Sequence, residues 1–289
     1  MTVIKADKSK AMGGWGLALG LLVGMIGLGG VVGCKAGKEV RPGAMVEVPV
    51  GVVDAGSLVG VVRFLGKVPA AVRMDMSLDP GCGGAGAGAV YAEQYVVHEV
   101  GSGAEGGAKE QRLGNVFVYV KSGPVAGAAS GARNAVSQVA GGAESGTAVV
   151  VDQVGCRYTP HLVGVMRGGV VEFRNSDNTM HNIHTMPLEG KGVNVGQAAM
   201  CKPMVVKFDT AELMVPVRCD VHPWMNAFVN VVDTPFFAVT DAEGRFSLKG
   251  LPPGEYVLGA VHEKLGGQTL KVTVTAKQTS KAEFQFAMQ

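Results

Sequence analysis

The residues best suited to chemistry form the segment CDVHPWM, which runs from Cys219 to Met225. It follows an alternating apolar run that ends at Val217 and Arg218. Because successive side chains of a strand point to opposite faces, Cys219 is expected to face the same core as Val217. The loop after it returns the imidazole of His222 and the thioether of Met225 towards that thiol. The segment therefore predicts a strand end where three metal-binding side chains meet.

A second segment, NTMHNIH, lies about 38 residues earlier and follows the apolar run from Val170 to Arg174. It offers two imidazoles, from His181 and His184. On an extended strand, residues three apart face opposite ways, so only one of them can point at Cys219. Spacing alone leaves both histidines open as the fourth ligand.

Two imidazoles, one thiolate and a weak axial thioether form the trigonal site of a blue copper centre. Soft sulfur ligands favour Cu(I), and imidazole suits both redox states. Zinc is the main rival for a set of Cys and His ligands. A structural zinc site needs a second half-site such as another C-x2-C, which this sequence does not contain.

Residues 147–234 resemble a cupredoxin of the plastocyanin and azurin class. The C-x2-H-x2-M spacing, with proline after the histidine and an aromatic residue before the methionine, is similar to that of the amicyanin group. The resemblance implies one type 1 copper held by His181, Cys219, His222 and Met225. It also implies that Asn182, just after the first ligand, hydrogen-bonds the Cys219 loop and fixes its geometry.

Short alternating runs rich in Val and Phe, bounded by Gly, Pro and Asp, predict an all-β protein. The runs are Leu58 to Phe64, Asn115 to Lys121, Thr147 to Val151, Val170 to Arg174, Val205 to Phe208, Leu213 to Arg218, Ala227 to Val232, Phe246 to Lys249, Tyr256 to His262 and Thr269 to Val274. Gly101 to Arg112 and the Gly, Ala and Ser-rich stretch from Gly123 to Gly146 are predicted to be flexible loops.

The sequence from Phe236 onward, with turns at Asp241 to Gly244 and Leu251 to Gly254, resembles the last half of a carboxypeptidase regulatory-like (transthyretin-like) β-sandwich. GSLVGVVRF, which begins at Gly56, and NVFVYV, which begins at Asn115, resemble its first half. The implied organisation is a discontinuous regulatory-like sandwich at 57–122 and 236–286, a loop at 123–146, and a Greek-key cupredoxin domain inserted at 147–235. A single enlarged sandwich is the alternative.

The N-terminus has the layout of a secretory signal. Lysines precede an uncharged run from Trp15 to Val32, and the following Gly33 and Cys34 complete a tetrapeptide that resembles the bacterial lipobox. We expect a lipoprotein signal peptide at 1–33, a lipidated Cys34 and a tether at 34–56. An uncleaved transmembrane anchor is the alternative, although nine glycines between residues 13 and 33 lower its hydrophobicity and helix propensity. The expected location is the periplasm or cell surface of a bacterium, on a membrane.

Export favours disulfides, and Cys82 and Cys156 are both flanked by turn residues. We therefore predict a structural disulfide between them, with Cys201 as an alternative partner. His161, five residues after Cys156, is a weaker candidate for a second metal site.

Composition narrows the function classes. The chain has 26 basic and 24 acidic residues and a net charge of +2, which gives no electrostatic footprint for nucleic acid. Its six histidines include no H-x-H pair, so the additional copper centres of multicopper oxidases and nitrite reductases are not expected, and we predict no enzyme.

The expected function is electron transfer among exported redox proteins such as c-type cytochromes. Copper storage, delivery or sensing without redox traffic is the alternative. The apolar neighbours Pro223 and Trp224 predict that the outer ring edge of His222 lies at a docking surface. The alternative is that Trp224 folds inward over the copper core.

Overall fold

The structure is a computed structural model in which residues 54–83, 88–101, 109–125 and 148–288 are described. The predicted signal peptide at 1–33, Cys34, nearly all of the tether and most of the loop at 123–146 lie outside these residues. Within the described ranges, no helix has both the length and the apolar character needed to cross a membrane.

Strands dominate the described residues, beside one short helix, α1, at Pro80–Gly83, and the predicted all-β fold class is confirmed. The strands are β1 Gly56–Leu65, β2 Val97–Val100, β3 Glu110–Leu113, β4 Phe117–Ser122, β5 Val149–Gln153, β6 Tyr158–Thr159, β7 Leu162–Met166, β8 Gly169–Asn175, β9 His181–Thr185, β10 Asn194–Gln197, β11 Met204–Phe208, β12 Glu212–Arg218, β13 Asn226–Val232, β14 Phe237–Val239, β15 Arg245–Leu251, β16 Gly254–His262, β17 Gly266–Val274 and β18 Thr279–Ala287.

The strands before residue 123 and after residue 236 form two sheets, which we call the outer sandwich. One sheet has the order β15-β1-β3-β2, with β18 also paired to β1, and the other has the order β14-β4-β16-β17. β1 pairs antiparallel with β15 and parallel with β18, from Ser57 opposite Thr279 to Leu65 opposite Ala287. Alternate residues of both sheets, such as Leu58 and Leu258, are fully buried and form one core between them.

The strands between residues 149 and 232 form a second pair of sheets, the inner sandwich. Their orders are β10-β9-β12-β13-β7 and β11-β8-β5-β6. Val163, Val217 and Val229 from the first sheet pack with Phe173 and Val206 from the second. Each sandwich therefore has its own core, as the alternating runs require.

A third hydrophobic cluster contains residues of both sandwiches. Phe117 and Phe237 of the outer sandwich pack with Leu162, Met166 and Val232 of the inner one. The rings of Phe117 and Phe237 lie 5.6 Å apart. The two sandwiches therefore share buried apolar surface in addition to covalent connections.

Several strands have no counterpart among the predicted runs, including β3, β6, β7, β9, β10, β14 and β18. β3 lies partly within the predicted loop from Gly101 to Arg112, while β7 and β9 were not predicted as separate strands. All five residues of β7 are buried, so its side chains show no period-two alternation. The presence of β3 is explained by its pairing with β2, a long-range contact that the local sequence does not specify.

Candidate metal centre

The loop that carries Cys219 is held between two paired strands. β12 ends at Arg218, β13 begins at Asn226, and the two strands pair antiparallel with Arg218 opposite Asn226. Within the loop, the amide of Cys219 donates to the carbonyl of Met225 at 3.3 Å, and the amide of Met225 donates to the carbonyl of His222 at 2.9 Å. Cys219 is a buried free thiol. The strand therefore delivers its side chain inward, as alternation predicts.

β9 brings the first histidine to the same place. It pairs with β12, with Arg218 opposite His184 and Val217 opposite Thr185, and His181 is its first residue. Nδ1 of His181 lies 2.9 Å from Nδ1 of His222. Sγ of Cys219 lies 3.7 Å from the same Nδ1 of His222.

These three side chains form a compact buried set. One ligand atom from each of His181, Cys219 and His222 lies within 4.8 Å of the others. Their exposed fractions are 0%, 3% and 1%, and Met225 is 1% exposed in the same hydrophobic cluster as Cys219. The described structure thus brings together three of the four residues that the sequence selected, and it buries the fourth, Met225, in the same cluster as Cys219.

The outer nitrogen of each histidine faces a carboxylate. Nε2 of His181 lies 2.8 Å from Oδ2 of Asp177, and Nε2 of His222 lies 2.6 Å from Oδ2 of Asp79. An ionised carboxylate only accepts hydrogen bonds, so each Nε2 donates, and a neutral ring then carries its lone pair on Nδ1. In the neutral form of both rings the two lone pairs converge next to the Cys219 sulfur, an arrangement that a bound cation would stabilise.

Electrostatics favour the metal-binding protonation states. Burial lowers the pKa of His181, and this effect outweighs the opposing influence of Asp177, so His181 is held in the neutral form that binds a metal. The hydrogen bond from His222 lowers the pKa of Asp79, which favours its ionised carboxylate.

Asn182 connects β9 to the loop from Cys219 to Met225, which carries three of the predicted ligands and which we call the ligand loop. Its Oδ1 accepts from the amide of Asp220 at 3.1 Å, and its Nδ2 donates to Oδ1 of Asn194 at 2.7 Å. Asn194 in turn donates to Oδ2 of Asp220 at 2.9 Å. Asn182 thus makes the loop contact that the resemblance implied.

His184 lies apart from the buried set. Its Nδ1 is 2.9 Å from Oδ1 of Asp220, and its side chain is 32% exposed. The structure therefore separates the two histidines that sequence spacing left open, and it groups only His181 with Cys219.

The disulfide joins Cys82 to Cys156, the pairing favoured by the sequence, so Cys201 is not part of this bond. The bond lies beside the histidines: Sγ of Cys82 is 3.7 Å from Nε2 of His222. Cys156 groups with Asp177 and His181 within 4.8 Å.

The predicted exposed edge of His222 is wrong. Asp79 and the neighbouring disulfide cover that edge. Trp224 is half-buried, its ring centre lies 5.1 Å from that of His222, and its Nε1 donates to the carbonyl of Cys156 at 3.2 Å. Trp224 therefore folds over the site, as the alternative interpretation held.

His161 joins the two sandwiches. Its Nε2 lies 2.7 Å from Oε1 of Glu263 in the outer sandwich, and its Nδ1 lies 3.1 Å from the carbonyl oxygen of Asn226. His161 and the Glu263 side chain are both 6% exposed. These contacts occupy both ring nitrogens of His161, which leaves neither free for a second metal.

Sequence reasoning did not identify Asp79 or Asp177 as part of the site. Asp177 lies four residues before His181, close enough for a local signal. Asp79 has a weaker signal, the DPGC segment in which it lies three residues before the disulfide-bonded Cys82. Only the tertiary structure shows that this segment meets His222.

Comparison with known proteins gives one family match. Residues 220–289 match the model of the carboxypeptidase regulatory-like domain. The matched segment begins in the ligand loop and contains β13 of the inner sandwich and β14 to β18 of the outer sandwich. No curated protein matches the sequence significantly.

Among solved structures, the chain is similar to copper proteins. A Cu-containing nitrite reductase from Thermus scotoductus SA-01 is 20% identical over 31% of this chain and 24% of that chain, with a TM-score of 0.27. A reduced Cu(I) form of an amicyanin variant at pH 4 is 24% identical over 32% of this chain and 87% of that chain, with a TM-score of 0.27. A second Cu(I) amicyanin variant is 23% identical over the same shares, also with a TM-score of 0.27. This chain thus spans about a quarter of the length of the nitrite reductase.

Proposed function

We propose that this protein is an exported, membrane-tethered type 1 copper protein that transfers electrons. One observation carries the proposal: ligand atoms of His181, Cys219 and His222 lie within 4.8 Å of one another in a buried site. Both histidines present Nδ1 to that site because carboxylates occupy their Nε2 atoms.

The donor set favours copper over zinc. One thiolate, two neutral imidazoles and the buried thioether of Met225 are the ligands of a blue copper centre, whereas zinc sites rarely use a thioether. Copper would supply a one-electron couple. The protein's contribution is a rigid ligand geometry: Cys219 lies between two paired strands, and Asn182 ties the ligand loop to β9.

Copper storage, delivery or sensing is the second candidate, and one observation favours it. His222 is 1% exposed and its outer nitrogen binds Asp79, so this ligand offers a redox partner no exposed ring edge. Electrons would then have to leave the site through Trp224 or through the protein around Cys219.

The remaining parts of the proposal concern the location of the protein, its partners and its lack of enzymatic activity. The lipobox-like segment at Cys34 supports a lipid anchor on a bacterial membrane facing the periplasm or exterior, and the disulfide between Cys82 and Cys156 agrees with an oxidising compartment. Exported redox proteins such as c-type cytochromes are the proposed partners. We propose no enzymatic activity, because the six histidines of the sequence include no H-x-H pair of the kind expected for additional copper centres.

The test loads the full chain with copper in detergent and records absorption and electron spin resonance spectra. We expect an intense blue thiolate-to-copper band and the narrow copper hyperfine splitting of a type 1 site. Cys219→Ser should lose the band while keeping its β-sheet circular dichroism, and His98→Gln, at an exposed histidine, should keep it. A colourless wild-type protein would overturn the copper assignment.

Stopped-flow mixing with a reduced c-type cytochrome then separates the two candidate functions. Rapid bleaching of the blue band supports electron transfer. A blue protein that exchanges electrons only slowly, and gives up its copper to an acceptor protein instead, supports delivery.

A further inference from the structure

The segment between β1 and β2 crosses from the outer sandwich onto the metal centre. After Leu65 the chain leaves the outer sheet, and Met76 is 7% exposed within the hydrophobic cluster that contains Cys219. Cys82 then forms the disulfide with Cys156 of the inner sandwich. Between these two attachment points lies Asp79.

The Asp79 carboxylate is fixed on both oxygens. Oδ1 accepts a hydrogen bond from the amide of Gly81 at 2.7 Å. Oδ2 accepts from the hydroxyl of Thr179 at 3.2 Å and from Nε2 of His222 at 2.6 Å. The first contact places Asp79 at the start of α1, and the second ties it to the residue two positions before His181. The orientation of the carboxylate is therefore set by partners other than His222.

The fixed orientation of the Asp79 carboxylate determines the tautomer of His222. Because the carboxylate can only accept, it stabilises the tautomer with hydrogen on Nε2 and the lone pair on Nδ1. Nδ1 is the nitrogen that faces Cys219 and His181. In the other tautomer, a hydrogen on Nδ1 would occupy the position that a metal requires.

We propose that Asp79 is a positioning residue for the copper centre: it fixes His222 as an Nδ1 ligand and closes the ring's outer edge. The proposal rests on the proposed copper-binding function. It differs from an anchoring role, because Met76 and the disulfide already attach the segment to the inner sandwich. Asp177, which belongs to the inner sandwich, contacts Nε2 of His181 in the equivalent way. The two Asp177 oxygens are themselves fixed by the amides of Gly155 and Cys156, from which they accept at 2.7 and 2.8 Å.

Asp79→Asn tests the tautomer directly. The amide retains an oxygen for the Gly81 contact but can turn its NH2 group towards His222, where it donates to Nε2 and favours hydrogen on Nδ1. Long-range proton–nitrogen correlation spectra of the metal-free full chain, recorded in detergent at pH 8 where an ordinary histidine is neutral, report the tautomer of His222. We expect Nε2–H in the wild type and a major fraction of Nδ1–H in the variant.

Asp75→Asn is the matched control, because Asp75 lies in the same segment, is exposed and accepts from the amide and the side chain of the nearby Ser77. It should leave the His222 tautomer unchanged. An unchanged tautomer in Asp79→Asn, with native circular dichroism, would overturn the proposal.

Copper affinity provides the second readout. In competition with a Cu(I) chelator, Asp79→Asn should weaken binding by about 10- to 100-fold, the usual cost of losing a carboxylate behind a ligating histidine. Asp79→Glu, which keeps an acceptor-only group, should recover part of that loss, and Asp75→Asn should match the wild type. Equal affinities for Asp79→Asn and the wild type would contradict the proposal.

The two readouts separate this proposal from the copper assignment. If the wild type binds no copper, the proposed function fails, and the metal-free spectra still decide whether Asp79 sets the His222 tautomer. If the wild type is blue but Asp79→Asn retains both the tautomer and the affinity, only the positioning role fails.

Discussion

The carboxylate of Asp79 lies 2.6 Å from Nε2 of His222, although the two residues are 143 positions apart in the chain. This contact places part of the outer-sandwich connection on the ligand loop of the inner sandwich. Asp177 makes the equivalent contact with His181 at 2.8 Å from only four residues away. His181 is thus oriented by a contact with a nearby residue, and His222 by a contact with a segment that is distant in the chain.

Replacing each histidine of the NTMHNIH segment should have very different effects. His181→Ala removes a buried imidazole that lies with Cys219 and His222, and it should abolish stoichiometric copper binding. His184→Ala should retain copper, because His184 contacts Asp220 and is 32% exposed on its side chain. Copper content after desalting, measured beside the absorption spectrum, distinguishes the two. Comparable copper loss in both folded variants would refute the ligand assignment.

Met225 is expected to affect the reduction potential of the centre more than its affinity for copper. A long axial thioether contributes little binding compared with three short ligands, and its donor strength shifts the balance between the redox states. Met225→Gln should therefore bind copper at a lower reduction potential, as measured by spectroelectrochemistry. Met180→Gln, at a methionine that is 47% exposed, is the control and should keep the wild-type potential. Complete loss of copper from Met225→Gln would show that the thioether is essential for binding.

The disulfide should contribute strongly to stability. It closes a long loop, since Cys82 and Cys156 are 74 residues apart, and such cross-links typically stabilise a fold by about 2–4 kcal/mol. Urea unfolding of the metal-free Cys82→Ala, Cys156→Ala double variant should show a loss of this size. A double variant as stable as the oxidised wild type would be inconsistent with this role.

Acid should destabilise the outer sandwich through His262. Burial lowers the pKa of His262 to about 4, and its ring packs near Tyr95 and Phe286, with centre distances of 5.8 and 6.4 Å. The unfolded chain, with an ordinary histidine pKa near 6.5, therefore binds more protons between about pH 6.5 and 4, so stability falls as the pH drops through that range.

His262→Leu removes this titration. Between pH 7 and 4.5 the variant should lose about 2–3 kcal/mol less unfolding free energy than the wild type, whatever its stability at pH 7. Urea denaturation at both pH values measures the difference. His98→Gln, at an exposed position, should reproduce the wild-type loss. Parallel losses in His262→Leu and the wild type would show that other groups cause the acid sensitivity.

The sequence predicted that Cys219 and His222 lie close together because the geometry of this loop is local. Alternation along β12 determines which face Cys219 occupies, and the short loop to β13 limits where His222 and Met225 can lie. The pairing of β12 with β9 then places His181. Spacing alone could not separate His181 from His184, because that choice depends on this pairing.

Other features depend on contacts that local patterns do not encode. β7 is buried at every position and shows no alternation, and the Asp79 and Glu263 contacts with histidines join segments more than one hundred residues apart. β18 is a different case. Its buried Ala282, Phe284 and Phe286 alternate with exposed residues, a signal present in the sequence that the strand prediction did not use.

The parallel pairing of β1 with β18 has a consequence for the order of folding. β1 is completed early in synthesis, but its partner strand ends at Ala287, about two hundred residues later. The first sheet of the outer sandwich cannot close until nearly the whole chain has emerged, whereas every strand of the inner sandwich is complete by Val232. The inner sandwich should therefore fold first, while the edge of β1 that pairs with β18 stays unpaired. A chain that stops before residue 279 would carry an intact inner sandwich and a persistently open edge, and so would be prone to aggregation and proteolysis.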